Sequence, residues 1–423
     1  MKFGFWELVL LLCICLILFG PTVIPWVNGW LRRANQTQQR VQRRNQEVRR
    51  QMAQERDAIA HRFQVVTSVL LIGGVVGYTG YLFLHPVTPA PQPYTPVTET
   101  MSLTTAGTTQ TRTLDLAPYK NPVCVTFRDG WLYAAVDGNQ IIRIREDGTG
   151  LAPVFTTESP VTSMVFGPKG SLFLMSQSAL YQASFDGWAV DAKPILTDLN
   201  GAPLGQPGSV VVDEDGRVYF TQYADFAADT PTQGFYTELM AHTGSGSVWM
   251  LDPQTNNAQC IVRGLSGAGG LALSPDGETL YVSETNARRV WAVPADTRDG
   301  EIESAGRILL EGLDGYAAGL YTAQNGDVWV AVCGQPIGLV DSLSGHTLLR
   351  RAVLNLPHMT QGWLLTPSSD TGWTFCVADD GSLTRAVAAQ ARGLEGRITG
   401  VWETDTTIWL ANADGSQLYG VTR

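Results

Sequence analysis

Few side chains in this 423-residue chain are spaced to do chemistry together. Metal-assisted hydrolysis needs clustered His, Cys or carboxylate groups, as in HExxH. The five histidines, His61, His85, His242, His346 and His358, show no such spacing. Acyl transfer needs a serine on a strand–turn–helix elbow, whereas GSGSV (244–248) leads into a strand-like run. Asp213, Glu214, Asp215 and Asp276 fall in turns, where a solvated carboxylate is the simplest reading. Cys124, Cys260, Cys333 and Cys376 lack close CxxC pairing. Disulfides and buried thiols both fit them, and Cys333 and Cys376 lie within strand-like runs. One stretch does gather ligand-type chemistry. YADFAADTPTQGFYTELMAHTGSG (223–246) holds Tyr223, Phe226, Phe235, Tyr236, Glu238 and His242. Aromatics with a few polar groups over a shallow mouth suit a sugar, a peptide or a small organic ligand; equally, the same rings would pack the loop down.

That stretch interrupts a repeat. GLSGAGGLALSPDGETLYVSET (264–285) reads as strand, turn, strand, because apolar positions alternate on both sides of SPDGE. The phrase recurs as MVFGPKGSLFLMSQ, SVVVDEDGRVYFTQ and GLYTAQNGDVWVAV. Units begin near Pro122, Pro160, Gly208, Gly269, Ala318 and Ile398. About 50 residues per unit is the size of a four-stranded propeller blade. The expected fold class is therefore an all-β six-bladed β-propeller over 114–423. The long third unit contains the aromatic insertion. In the long fifth, WTFCVADDGSLTRAV reads as its extra strands.

Two apolar runs precede the propeller, FGFWELVLLLCICLILFG (3–20) and QVVTSVLLIGGVVGYTGYLFL (64–84). Each has the length and apolarity of a membrane span. The expected organisation is a first transmembrane helix (1–22), an Arg-rich helical cytoplasmic segment (23–63), a second transmembrane helix (64–85), and a Pro/Thr-rich linker (86–113) that lifts the propeller off the membrane. Nine arginines between Arg32 and Arg62 place that segment in the cytoplasm and both chain ends outside. A cleavable signal peptide is the rival reading of the first run. The membrane is the expected partner. A partial heptad (Val27, Ala34, Val41, Val48, with a second series Leu31, Met52, Ile59 interrupted at Gln38 and Asn45) suits either a homo-oligomer or a helix lying along headgroups, and the pair Gly73 and Gly77 suits helix pairing. The net charge of −10 is the sum of +6 over residues 1–86 and −16 beyond them, and so acidic a body argues against nucleic acid.

Two resemblances add to this. FGFWELVLLLCICLILFGP resembles the start of twin-arginine translocase A/B-type subunits over about 35 residues, with Phe5, Glu7, Leu8, Phe19, Gly20 and Pro21 matching. This implies an accessory place in protein translocation, although the second span and large outer domain depart from that family. Across most of 120–423, GQPGSVVVDEDGRVYFTQYADF, GLSGAGGLALSPDGETLYVSETNARRVWAV and GRITGVWETDTTIWLANADGSQLYGV resemble the gluconolactonase and strictosidine-synthase-like propellers.

The second resemblance implies a divalent cation, often calcium, held in the channel by a Glu, two Asn and an Asp. Those positions fall on Val123, Gly208, Gly269 and Ala318, and an acid/base Glu falls on Thr399. None carries the family's side chain. Calcium needs several oxygen ligands with charge among them, and a threonine hydroxyl does not shuttle protons near neutral pH. The expectation is a bacterial-type, membrane-anchored, extracytoplasmic module that binds a ligand or partner without catalytic residues, metal or other cofactor. The alternative is a calcium-dependent lactonase-type hydrolase.

Overall fold

The computed structural model describes residues 29, 46–98, 100–101, 111–186, 189–367, 373–388 and 397–423. The repeated units form six sheets, five of four antiparallel strands and one, the third blade, in which the short strand Gly300–Glu301 adds parallel to Asn257–Leu265 as a fifth. Their innermost strands are Cys124–Arg128, Val161–Phe166, Gln206–Val212, Ala268–Leu273, Ala317–Thr322 and Ile398–Glu403. Each begins where the sequence repeat does. The turn glycines explain the tight reversals between first and second strands: Gly216 and Gly277 sit at φ +87° and +75°, a region costly for other residues. Second strands such as Val218–Ala224 and Val328–Val332 are buried along their whole length, because neighbouring blades cover both faces.

The last blade takes strands from both ends of the propeller. Thr111–Asp115 pairs antiparallel with Gln417–Thr422, from Thr111 against Val421 to Asp115 against Gln417. The propeller thus reaches into the segment read as linker. The core lies between blades. Val290, Leu310, Ala317, Val330 and Phe375 join the fourth and fifth; Trp409, Ala411, Val125 and Leu132 join the sixth to the first. Burying a Leu or Phe side chain contributes about 1.5–3 kcal/mol, and this happens at every joint.

Two insertions lie between second and third strands, which puts both at the same mouth of the channel. The first forms the helix Pro231–Ala241. Thr230 caps it by accepting a hydrogen bond from the Gln233 amide, proline occupies its first turn, and His242 ends it in the left-handed region. The second lies between Val332 and Trp373, within the long fifth unit. That unit does contain the strands expected of it, Trp373–Val377 and Leu383–Ala388. Three helices precede them: Gly338–Ser342, Thr347–Leu354 and His358–Leu365. Tyr236, Leu239, Met240, Tyr316, Val340 and Leu365 form the core of this helical cap.

The Pro-rich segment from Val87 to Met101 does not stand free as a stalk. Its described residues are strapped to the cap and the neighbouring blade. The Gln92 amide donates to the Ala241 carbonyl (2.7 Å), the Tyr94 hydroxyl to the Val340 carbonyl (3.1 Å), and the Met101 amide to the Gly312 carbonyl (2.6 Å). Arg288 Nη2 donates to the Val97 carbonyl (2.9 Å). The Tyr94 ring stacks on His242 at 3.8 Å, with the Arg350 guanidinium 5.0 Å from its centroid. The segment has no core of its own, but its backbone groups and one aromatic ring find partners on the propeller.

A separate unit contains one helix, Gln46–Leu84, which runs unbroken through the point where the sequence suggested a boundary between cytoplasmic segment and span. Its part His61–Leu84 is long and apolar enough to cross a membrane. Among the described residues it is the one such helix, so two spans are not established. The first apolar run and the translocase-like stretch lie outside the described residues.

Candidate functional site

A channel of about 390 Å³ runs along the propeller axis. The inner strands present it with small residues: Gly208, Ser209, Gly269, Gly270, Ala318, Gly319, Thr399 and Gly400. No carboxylate, histidine or basic side chain is among its lining residues. Four hydroxyls of the channel wall bond to inner-strand carbonyls, while that of Thr322 is buried without a partner. Thr162 Oγ1 donates to the Gly208 carbonyl at 2.7 Å, and Thr221 Oγ1 to the Gly269 carbonyl at 2.7 Å. Ser283 Oγ donates to the Ala318 carbonyl at 3.0 Å, and Thr399 Oγ1 to the Val123 carbonyl at 2.8 Å. Each bond links one blade to the next. The four accepting residues are the four positions onto which the cation ligands would fall. Thr399, the residue at the acid/base position, is one of the donors.

The glycines make this belt possible. A Cβ at Gly208 would overlap Thr221 Oγ1 and lie 2.6 Å from the Ala268 carbonyl. At Gly269 it would overlap Thr285 Oγ1 and lie 2.9 Å from Ser283 Oγ. Thr285 Oγ1 itself donates to the Ala317 carbonyl at 2.8 Å. Neighbouring inner strands therefore approach so closely that no side chain fits at these two positions. A calcium ion does not fit this lining: the available oxygens are neutral carbonyls and hydroxyls, most of them bonded across the blades, with no anionic ligand to offset dehydration. Among the described residues, no three of His, Cys, Asp and Glu converge as metal ligands.

The insertion residues separate into groups. Tyr223 and Phe235 line the channel mouth beside Tyr316 and Cys333. Their rings meet: Tyr223–Phe235 centroids are 6.4 Å apart, and Phe235 packs edge-on to Tyr316 at 5.8 Å. The Tyr223 hydroxyl donates to Asn286 Oδ1 at 2.9 Å. Tyr236 turns into the cap core, its hydroxyl 2.6 Å from Thr366 Oγ1. Half-buried Phe226 contributes its carbonyl, which accepts from Gln206 Nε2 at 3.2 Å.

Glu238 is wholly buried beneath the cap. It accepts from the Thr243 amide (3.0 Å), Thr243 Oγ1 (2.7 Å) and Ser266 Oγ (3.3 Å). Burial pushes its carboxyl up to about 7 despite these donors. His242, stacked under Tyr94, is pushed down to about 3 by burial and by Arg350 and Arg289. It faces a side pocket of about 280 Å³ under the strap. Burial also raises the thiols of Cys124 and Cys333, to about 12 and about 11, so neither serves as a thiolate at neutral pH. All four described cysteines are free.

Sequence reasoning did not single out Tyr316 or Tyr94, and it read Cys333 as a buried thiol or disulfide partner without placing it at the channel mouth. The aromatic cluster at 223–246 was visible as one insertion. Its partners come from a second insertion and a distant strap, and these meet only in the fold.

The fold and channel define the class: a six-bladed propeller with a narrow axial channel lined by small residues of its inner strands. Residues 131–341 match the SMP-30/gluconolactonase/LRE-like region, so the propeller is gluconolactonase-like and strictosidine synthase-like. Among curated relatives, a strictosidine synthase-like 3 protein of Arabidopsis thaliana is 24% identical over 229 residues, 52% of this chain and 55% of that one. An adipocyte plasma membrane-associated protein of Danio rerio is 26% identical over 200 residues, 45% of this chain and 46% of that one. The chain thus spans about half the length of the curated relatives it matches. A gluconolactonase structure from Xanthomonas campestris superposes with a TM-score of 0.52 at 17% identity, covering 80% of this chain and 99% of that one, which shows the shared fold.

Proposed function

We propose that this chain is a membrane-anchored propeller that takes up a compact, uncharged ligand in its axial channel and neither uses a metal nor catalyses hydrolysis. The observation that carries the reading is the hydroxyl–carbonyl belt. At Val123, Gly208, Gly269 and Ala318 the backbone carbonyl accepts a hydroxyl from the adjacent blade. Interactions between inner strands that an ion would otherwise supply are here made by neutral hydrogen bonds. What remains at the mouth is Tyr223, Phe235 and Tyr316, an apolar rim with one phenol held by Asn286. Such a site favours an apolar body over a charged one. The part His61–Leu84 of the long helix supplies the anchor, with the Arg-rich residues that lead into it cytoplasmic and the propeller on the other side.

The test uses the whole chain in detergent. Calcium chloride is titrated while the melting temperature is followed, and gluconolactone hydrolysis is assayed in parallel. A cation bound by the folded form alone raises the melting temperature by mass action. The expected result is no shift and no hydrolysis. The neutral probe N-phenyl-1-naphthylamine is expected to bind, and Phe235→Ala to weaken it roughly tenfold through lost aromatic contact. A calcium-dependent rise accompanied by lactone turnover overturns the reading in favour of a hydrolase.

A further inference from the structure

The cap's outer surface is unusually apolar for an acidic protein. Trp363 is 83% exposed, Met359 60% and Leu348 58%. Met359 and Trp363 stand four residues apart on His358–Leu365, hence on one helix face, while Gln361 and Leu365 of that helix are buried. Leu348 and Leu349 project from Thr347–Leu354, whose Arg350 is buried. From Ser342 to Pro367 the chain has no Asp or Glu, although Arg351, His346 and His358 are present. Beyond residue 86 acidic residues otherwise outnumber basic ones heavily.

The strap says what faces this surface. Its docking begins at Gln92, whose amide bonds to Ala241 and whose carbonyl accepts from Arg350, a residue of the helix that exposes Leu348 and Leu349. Seven residues of chain separate Leu84, the end of the apolar helix, from Gln92. By chain length alone, the eight residue-to-residue steps reach at most about 28 Å. A cap so tethered to a membrane-spanning helix is kept within reach of that membrane. Exposed Trp, Met and Leu beside Arg and His, without carboxylates, match the headgroup region of a bilayer.

We infer that the helical cap of the fifth blade, through Leu348, Leu349, Met359 and Trp363, docks on the surface of the lipid bilayer in which the chain is anchored. This rests on the anchoring proposed above. Trp363 and Met359 enter the headgroup layer, and the carboxylate-free stretch favours membranes containing anionic lipid.

Hydrogen exchange tests it on the full chain reconstituted into phosphatidylcholine vesicles with and without phosphatidylserine. Alkaline extraction reports separately whether the chain is integral. Amides of 345–366 are expected to exchange at least about tenfold slower in the wild type than in M359E/W363E, most strongly with phosphatidylserine. The Ser274–Glu278 turn at the opposite mouth is expected to exchange alike in both. Leu348→Glu, on a different helix, should reproduce part of the loss. Retention through extraction with equal exchange in wild type and variants overturns docking and leaves anchoring intact. Release on extraction overturns anchoring; docking then stands if the wild type floats with phosphatidylserine vesicles and M359E/W363E does not, and falls otherwise. Protection that appears in detergent and grows with protein concentration makes a second copy the occupant and also overturns it.

Discussion

Gly269→Asn restores the family's ligand type at one of the four channel positions, and the belt predicts that it damages the fold without creating a cation site. The new Cβ overlaps Thr285 Oγ1 and crowds Ser283 Oγ at 2.9 Å, so both hydroxyls must rotate away. Two bonds are lost, Thr285 to the Ala317 carbonyl and Ser283 to the Ala318 carbonyl. Ser283 Oγ also accepts from the Gly270 amide at 2.6 Å, and that donor loses its partner too. A net hydrogen bond is worth about 1 kcal/mol and an orphaned buried group costs about 1–3 kcal/mol, so the sum is roughly 3–5 kcal/mol. At about 2–4 °C per kcal/mol for a domain of this size, the melting temperature falls by about 6–20 °C. Differential scanning calorimetry of the full chain in detergent, with and without calcium, measures this. Gly269→Ala should show most of the loss, because the clash comes from the Cβ. A Gly269→Asn variant as stable as the wild type, or one that calcium stabilises, refutes the argument that hydroxyl bonding has replaced ion binding.

The remaining expectations probe other contacts. Gly270→Ala drives a Cβ into the Ala318 carbonyl and to 2.7 Å from the Leu320 amide, backbone atoms that cannot rotate aside; it should cost at least about 3 kcal/mol and lower yield, read by thermal melts of the purified chain. Glu238 is held near 7 against an ordinary 4.5, so the folded state binds its proton more tightly and the group's contribution falls as pH rises from about 4.5 through 7. Glu238→Gln should therefore gain on the wild type by about 2–3 kcal/mol between pH 5 and pH 8, compared by denaturant unfolding at both; a constant difference counts against the buried carboxylate. Tyr94→Ala removes the stack on His242, the Arg350 contact and the bond to Val340; the strap should release, with cleavage by a broad-specificity protease within 87–101 accelerated roughly tenfold or more while the blades stay intact.

Much of the propeller was legible because its signals are local. A strand–DG–strand phrase needs only alternation and a positive-φ glycine, and both recur in the first five units, while the sixth turns through Thr404, Asp405 and Thr406. The inner-strand starts read from the sequence coincide with the strands observed, including Ala317–Thr322 and Ile398–Glu403. The same locality explains what was missed. The fifth blade's helices lie in an interval whose later residues, WTFCVADDGSLTRAV, are plainly strands, and that drew attention from PIGLVDSLSGHTLLRRAVLNLPHMTQGWLL before them. Thr111–Asp115 has no turn partner nearby; its pairing with Gln417–Thr422 bridges the whole propeller. The Pro/Thr composition of 86–113 truthfully reported a segment without a core, but composition carries no information about a groove elsewhere that accepts its backbone.

The channel shows why an absent side chain is informative only with its surroundings. A Gly at 208 or 269 in isolation is compatible with a shifted alignment, with room for a ligand, or with a strand packed too tightly for a Cβ. The structure distinguishes these by contact: Thr221 Oγ1 and Thr285 Oγ1 occupy the space a side chain would take. Once those hydroxyls are bound to the next blade, replacing a single residue does not restore a cation site, because each ligand position is also an acceptor in the belt. Losing the belt at one joint loosens two blades, whereas gaining one carboxylate or amide supplies one ligand of the six or more that calcium requires. Building a cation site here one residue at a time therefore passes through destabilised intermediates. The neutral channel is held in place by the packing that closes the propeller.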